Sequence, residues 1–129
     1  MNDRPNPAPG FKSRPDHKII IEHYSGYVRV SGDGITVAET DNALILHEGS
    51  YAPVFYIPMR DASADLLEPT AHETGCPFKG RARYWSIRTP RETIENSVWG
   101  YDDPYDEVAQ IKGHIAFYAS KVEIDVNPA

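Results

Sequence analysis

From Lys18 onward, turn residues cut this chain into β-prone runs of four to seven residues, and that spacing constrains the fold more than any other feature. The first runs read KIIIEHY, YVRV, ITVAET and ALILHE, separated by SG, SGDG and DN. Gly32-Asp33-Gly34 supplies positive φ cheaply, so the runs on either side are expected to form a hairpin. Asp41-Asn42 predicts another tight reversal. PVFYIP is bracketed by Pro53 and Pro58, which suits a sheet edge or a strand end. RARYWSI, TIENSVW, HIAFYAS and KVEIDV follow, the last two expected to pair with each other. About nine short strands at this spacing predict a mainly β fold, a compact single-domain β-sandwich or open barrel. One short helical turn is expected in RDASADLLEPT, with Asp and Ser to cap it and Pro69 to stop it. Pro5, Pro7, Pro9 and Pro15 make residues 1–16 a proline-rich extended arm or frayed tail, leaving residues 17–129 as the single β domain.

Composition narrows the functional classes. With 129 residues the chain can bury a real core without disulfides or a structural metal. A lone cysteine forms no intramolecular bridge, and no apolar run approaches a membrane span. The first residues hold no apolar stretch of the signal-peptide kind, so the cytoplasm is the expected address and no membrane partner is expected. The net charge of −6 comes from 19 acidic against 13 basic side chains, the wrong balance for duplex nucleic acid. Lys79, Arg81, Arg83, Arg88 and Arg91 cluster, but they alternate with Ala82, Tyr84 and Ser86 as the wet face of a strand would.

Three groups of residues carry candidate chemistry. The first is HETGCPFKG, read as a bent loop, which holds Cys76 between His72 and Lys79. A thiol reacts as its thiolate, and cationic neighbours favour that form. Cys76 as nucleophile or redox centre, His72 as base and Lys79 as electrostatic helper would make a catalytic group. The alternative is a half-buried thiol in a glycine-proline loop. His-x3-Cys with His47 or His114 gives too few ligands at the wrong spacing for structural zinc, so no metal and no cofactor are expected. The second group is Tyr56 with Arg60, two residues of shared parity that would face one cavity if the strand runs on. A ring beside a guanidinium suits an anionic or planar ligand. The third is the dense set of aromatics in the second half, among them Trp85, Trp99 and Tyr101, with His114 as a base or a core histidine. Several of these rings must be structural in a β protein of this size. Gly100, between Trp99 and Tyr101, would allow the close backbone approach of a pocket rim. No G-x-S-x-G elbow or P-loop is present.

Together, ETDNALILHEGSYAPVFYIPMRD, LLEPTAHETGCPFKGRARYW, ENSVWGYDDP and IKGHIAFYASKVE resemble family 427 of the domains of unknown function. The resemblance covers about residues 17 to 124, and its most specific part is the T-x-H-x-T-x-C-P-x-K-G stretch from Thr70 to Gly80. It implies a compact, mainly β fold, similar to the tent-like architecture of the methionine sulfoxide reductase B group. It also implies that His72, Cys76, Lys79, Trp99, Tyr101 and His114 gather in space. The family's label hints at nucleotidyl transfer, but Glu92, Glu95, Asp102 and Asp103 form no recognisable metal-binding pattern, and that activity is not carried over. Zinc-bearing tent folds use cysteine pairs, and one cysteine implies no such zinc here.

Three functions remain open at this point. One is a small-molecule-binding β domain with an aromatic-lined pocket, walled by Tyr56, Trp85, Trp99 and Tyr101, with polar contacts from Arg60, His72 and Lys79. Another is an enzyme using Cys76. The third is a structural or interaction module, such as a homodimer joined through strand edges.

Overall fold

A computed structural model describes residues 4–128. Its ten strands are β1 (Ile19–His23), β2 (Gly26–Gly32), β3 (Ile35–Thr40), β4 (Leu44–Glu48), β5 (Val54–Pro58), β6 (Leu67–Cys76), β7 (Gly80–Arg88), β8 (Thr93–Tyr101), β9 (His114–Phe117) and β10 (Glu123–Pro128). They form a seven-stranded sheet in the order β1-β4-β5-β9-β8-β7-β6 and a three-stranded sheet in the order β10-β2-β3. The fold is mainly β, as the run lengths predict.

Alternation along the strands builds two cores, one on each face of the large sheet. The small sheet contributes Val28, Val30, Val37 and Ala38, which pack on Ile57, Trp85, Ile87, Val98, Ile115 and Phe117. Each such aliphatic burial stabilises by about 1.5–3 kcal/mol. The intervening residues point the other way. Leu46, Tyr56, Ala82, Tyr84, Tyr101 and Ala116 form the second core, capped by Val108 and Ile111 of the 3₁₀ turn Asp106–Ile111.

The large sheet is strongly curled about that second core. Four strand spacings separate β4 from β7, about 19 Å in a flat sheet. Yet Lys79, at the foot of β7, places its Nζ 2.6 Å from Oε1 of Glu48 at the end of β4. Further out, His17 precedes β1 and Phe78 follows β6, the two opposite edges, and their rings stack 3.9 Å apart. The edge strands themselves do not pair. The result is an open barrel whose seam is bridged at one end by side chains.

Several local expectations need correction. Asp33 (φ 53°) and Gly34 (φ 74°) do turn β2 into β3. Asp41-Asn42 makes no hairpin, because the chain there leaves the small sheet for the large one. For the same reason β9 and β10 do not pair: β9 joins β5 and β8, whereas β10 joins β2. β5 lies inside the sheet despite its prolines, since its pairing with β9 uses only Ile57 and Pro58 at its far end. The expected helical turn resolves into two 3₁₀ turns, Met59–Asp61 and Ala64–Leu66, without side-chain caps, and Pro69 lies within β6. HETGCPFKG is mostly strand, with only residues 77–79 outside β6 and β7.

The proline-rich arm is docked over residues 6–13. Asn6 N–H donates to the Asp106 carboxylate, Ala8 N–H to Glu107, and Gly10 N–H to the Pro77 carbonyl at 2.9 Å. Gly10 fits because a Cβ there would meet the Phe78 ring at 2.7 Å and the Pro77 oxygen at 2.8 Å. No helix among the described residues is long and apolar enough to cross a membrane.

Candidate functional site

The inner face of the curled sheet collects half of the chain's tyrosines and one of its two tryptophans. Tyr84, inward on β7 between the outward Arg83 and Trp85, is the centre of the group. Its hydroxyl lies 3.0 Å from Oγ1 of Thr74 and 3.1 Å from the hydroxyl of Tyr118. Its ring is 4.5 Å from His72, edge to face. Trp99 continues the row, 4.6 Å from Tyr118 and 6.4 Å from Tyr56 by ring centroids. Tyr56, Tyr84 and Tyr101 are only 1%, 4% and 6% exposed and belong to the core. Trp99 and Tyr118 are half-buried, and His72 and Thr74 are exposed. The face thus grades from a packed interior to an open mouth at β6.

Burial keeps the hydroxyls of that face uncharged. Burial pushes the Tyr56 and Tyr101 hydroxyls well above the usual phenol range, with Glu48, Cys76 and Tyr84 adding to the effect in both. Trp99, hydrogen-bonded to Tyr56, pulls that hydroxyl partly back. Tyr118 is pushed up to about 12, first by burial and then by the Tyr84 hydroxyl. All three therefore remain uncharged donors and acceptors at neutral pH.

At the inner end sits a clamp of charges. Glu48 accepts from Lys79 at 2.6 Å and meets Nε2 of His17 at 2.8 Å. All three side chains are 13–16% exposed. Burial alone would raise the Glu48 carboxyl, but the Lys79 and His17 hydrogen bonds outweigh it and hold the group below its usual range. The Phe78 ring covers His17 on one side and takes Phe11 edge-on at 5.0 Å. The carboxylate is thereby neutralised locally.

The candidate residues divide between this face and elsewhere. Tyr56, Trp99, Tyr101, Tyr84 and His72 meet on it, and Cys76 ends β6 opposite Gly80. Trp85 belongs to the opposite core, where Arg83 lies 4.5 Å above its ring. Arg60 is exposed on a 3₁₀ turn; β5 ends at Pro58, so the parity with Tyr56 stops short of it. His114, heading β9, places Nδ1 3.0 Å from the Lys112 carbonyl. Gly100 is tight for a reason other than a pocket rim, because a Cβ there would meet the His114 carbonyl oxygen at 2.9 Å.

The cysteine group does not assemble as a nucleophile with its base. His72 and Cys76 are four residues apart on one strand, about 13 Å along the backbone. Lys79 turns to Glu48, and the His72 ring rests on Tyr84. Cys76 is half-buried beside a cleft of about 240 Å³ bordered by Gly75, Pro77, Arg81 and Tyr105. Among the described residues no three His, Cys, Asp or Glu side chains are grouped to hold a metal ion. Glu95 lies within β8 whereas Asp102 and Asp103 follow its far end, so those acids stay apart.

Tyr84 and Tyr118 belong to the dense set of aromatics in the second half without being assigned to a site, and Thr74 and His17 are members that sequence reasoning did not single out. The alternation of Arg81, Arg83 with Ala82, Tyr84 marks Tyr84 as inward, but nothing local marks His17, whose partner Glu48 lies 31 residues away. Along residues 20–127 the chain matches a family described as a domain of unknown function, DUF427. No curated protein matches it.

Proposed function

We propose that this chain, which belongs to the domain-of-unknown-function family DUF427, binds a small, planar molecule at the mouth of its curled sheet. The observation that carries the reading is the continuous row His72, Thr74, Tyr84, Tyr118 and Trp99, which offers ring faces and neutral hydroxyls together. Ligand sites are mostly apolar with a few placed polar groups, and this row has that character. Lys79 and His17 are matched to Glu48 and Arg60 lies elsewhere, so the charge next to the row is the Lys121 ammonium, 5.5 Å from the Tyr118 ring centroid. Cys76 enters this reading as a contact, since neither His72 nor Lys79 is disposed to activate it.

The test is a thermal-shift screen of planar compounds, including nucleobases, indoles, phenols and flavins. A ligand that binds only the folded state raises the melting temperature with its concentration. Hits should lose about fivefold or more in affinity in Tyr118→Ala, given roughly 1 kcal/mol for a ring contact. Hits that bind Tyr118→Ala and His72→Ala as well as the parent chain would refute the site.

A further inference from the structure

Beyond His72 the sheet carries an irregularity that the aromatic face does not use. β6 and β8, the two neighbours of β7, both bulge opposite the same short stretch of it. On β6, Pro69 pairs with Trp85 and Glu73 with Arg83, so residues 70–72 face one residue of β7. On β8, Val98 pairs with Trp85 and Ile94 with Ile87, so residues 95–97 again face one. Bulges re-aim side chains and are enriched beside functional sites. At the second bulge Asn96 adopts φ 48°, a left-handed conformation that is uncommon for a residue other than glycine. Its neighbours hold it there: Asn96 N–H donates to Oγ of Ser86 at 3.0 Å, and the Thr70 hydroxyl donates to Oδ1 of Asn96 at 2.7 Å.

Between the two bulges lies a cavity of about 400 Å³, bordered by Thr70, His72, Ser86, Thr93, Glu95 and Asn96. Because Thr70 occupies the Asn96 oxygen, the amide nitrogen with its two N–H groups is the part left to meet a ligand. The Glu95 carboxylate supplies acceptors, and the Thr93 hydroxyl and the His72 ring do either. Of the nearby cations, Arg88 pairs with Glu68 at 2.8 Å, whereas Lys121 Nζ donates to the Glu95 carbonyl at 2.9 Å and keeps its charge.

We propose that this double-bulge cavity is a binding site for a neutral polyhydroxylated ligand of the saccharide class. Each sugar hydroxyl donates and accepts at once, which matches an amide donor beside a carboxylate acceptor. The Glu95 carboxylate offsets the nearby Lys121 ammonium, so the cavity has no excess of positive charge to draw an anion. The site is separate from the aromatic face and does not depend on it; His72 borders both.

Amide chemical shifts followed during titration with ribose, glucose, galactose and their short oligomers test this directly. Saturable shifts should appear at Thr70, His72, Ser86, Glu95 and Asn96. Asn96→Gly keeps the backbone conformation, which glycine adopts freely, and removes the amide. It should weaken binding about fivefold or more, as loss of a ligand hydrogen bond does, with the melting temperature retained. Glu95→Gln, an exposed change, should weaken binding by a similar factor. The proposal is overturned if no saccharide gives saturable shifts at these residues, if inorganic phosphate gives them instead, or if both variants bind as the parent chain does.

Discussion

Glu48 is the residue on which the curled geometry turns. Its carboxyl is buried enough to be raised, yet Lys79 and His17 together hold it below its ordinary value of 4.5. A depressed carboxyl contributes stability that is fully present above the unfolded value and is lost as pH falls through the folded one. Acid unfolding of the parent chain should therefore steepen below about pH 4.5. Glu48→Gln should lose about 1–2 kcal/mol at pH 7 and show a flatter stability profile between pH 5 and 3. Denaturant melts across that range provide the check, and parallel profiles for the two proteins would contradict the clamp. Cys76 makes the opposite kind of prediction. With His72 about 13 Å away along the strand, His72→Ala should leave the rate of Cys76 alkylation within about twofold, because general-base assistance, worth a hundredfold or more, is missing. A loss of tenfold or more would restore the catalytic reading.

At the scale of elements, the strands that were legible are those with one dry face or two. ITVAET, RARYWSI and ALILHE show β-branched and aromatic residues between turn signals, and each is a strand. β6 was not legible. Its segment LEPTAHETGC has a proline, a glycine and hardly any apolar alternation, because an edge strand with wet faces needs none. Partners were harder to read than strands. Asp41-Asn42 and residues 119–122 mark changes of sheet, and a turn signal does not say whether the chain folds back on its own sheet or crosses to another. Bulges at residues 70–72 and 95–97 then shift the side-chain parity on which face assignments rest. Gly100 shows how closely these elements are set. In Gly100→Ala the new methyl carbon would sit 2.9 Å from the His114 carbonyl oxygen, a backbone atom that cannot swing aside. About 1–3 kcal/mol of stability should be lost, measurable by urea titration; an unchanged midpoint would mean that β8 and β9 are less tightly apposed than they stand.

The whole molecule is one curled sheet doing two jobs. Its outer face packs on β10-β2-β3 as an ordinary sandwich core, and its inner face is folded towards itself with tyrosines where a small barrel would carry aliphatics. The aromatic content that suggested a pocket was visible in the sequence, but its division was not. Trp85 went to the sandwich core and Trp99 to the inner face, a difference of parity that only the pairing of β7 with β8 resolves. The clamp that draws the edges together joins residues 17, 48, 78 and 79, and so no local pattern announces it. This division gives the proposed ligand site its sharpest test. The chain has two tryptophans, hence two indole N–H resonances, one from each side of the sheet. Titrated with the planar compounds that stabilise the protein, the Trp99 resonance should move and saturate while that of Trp85 stays in place. Movement of Trp85 alone, or of neither, would contradict a ligand at the mouth of the curled sheet.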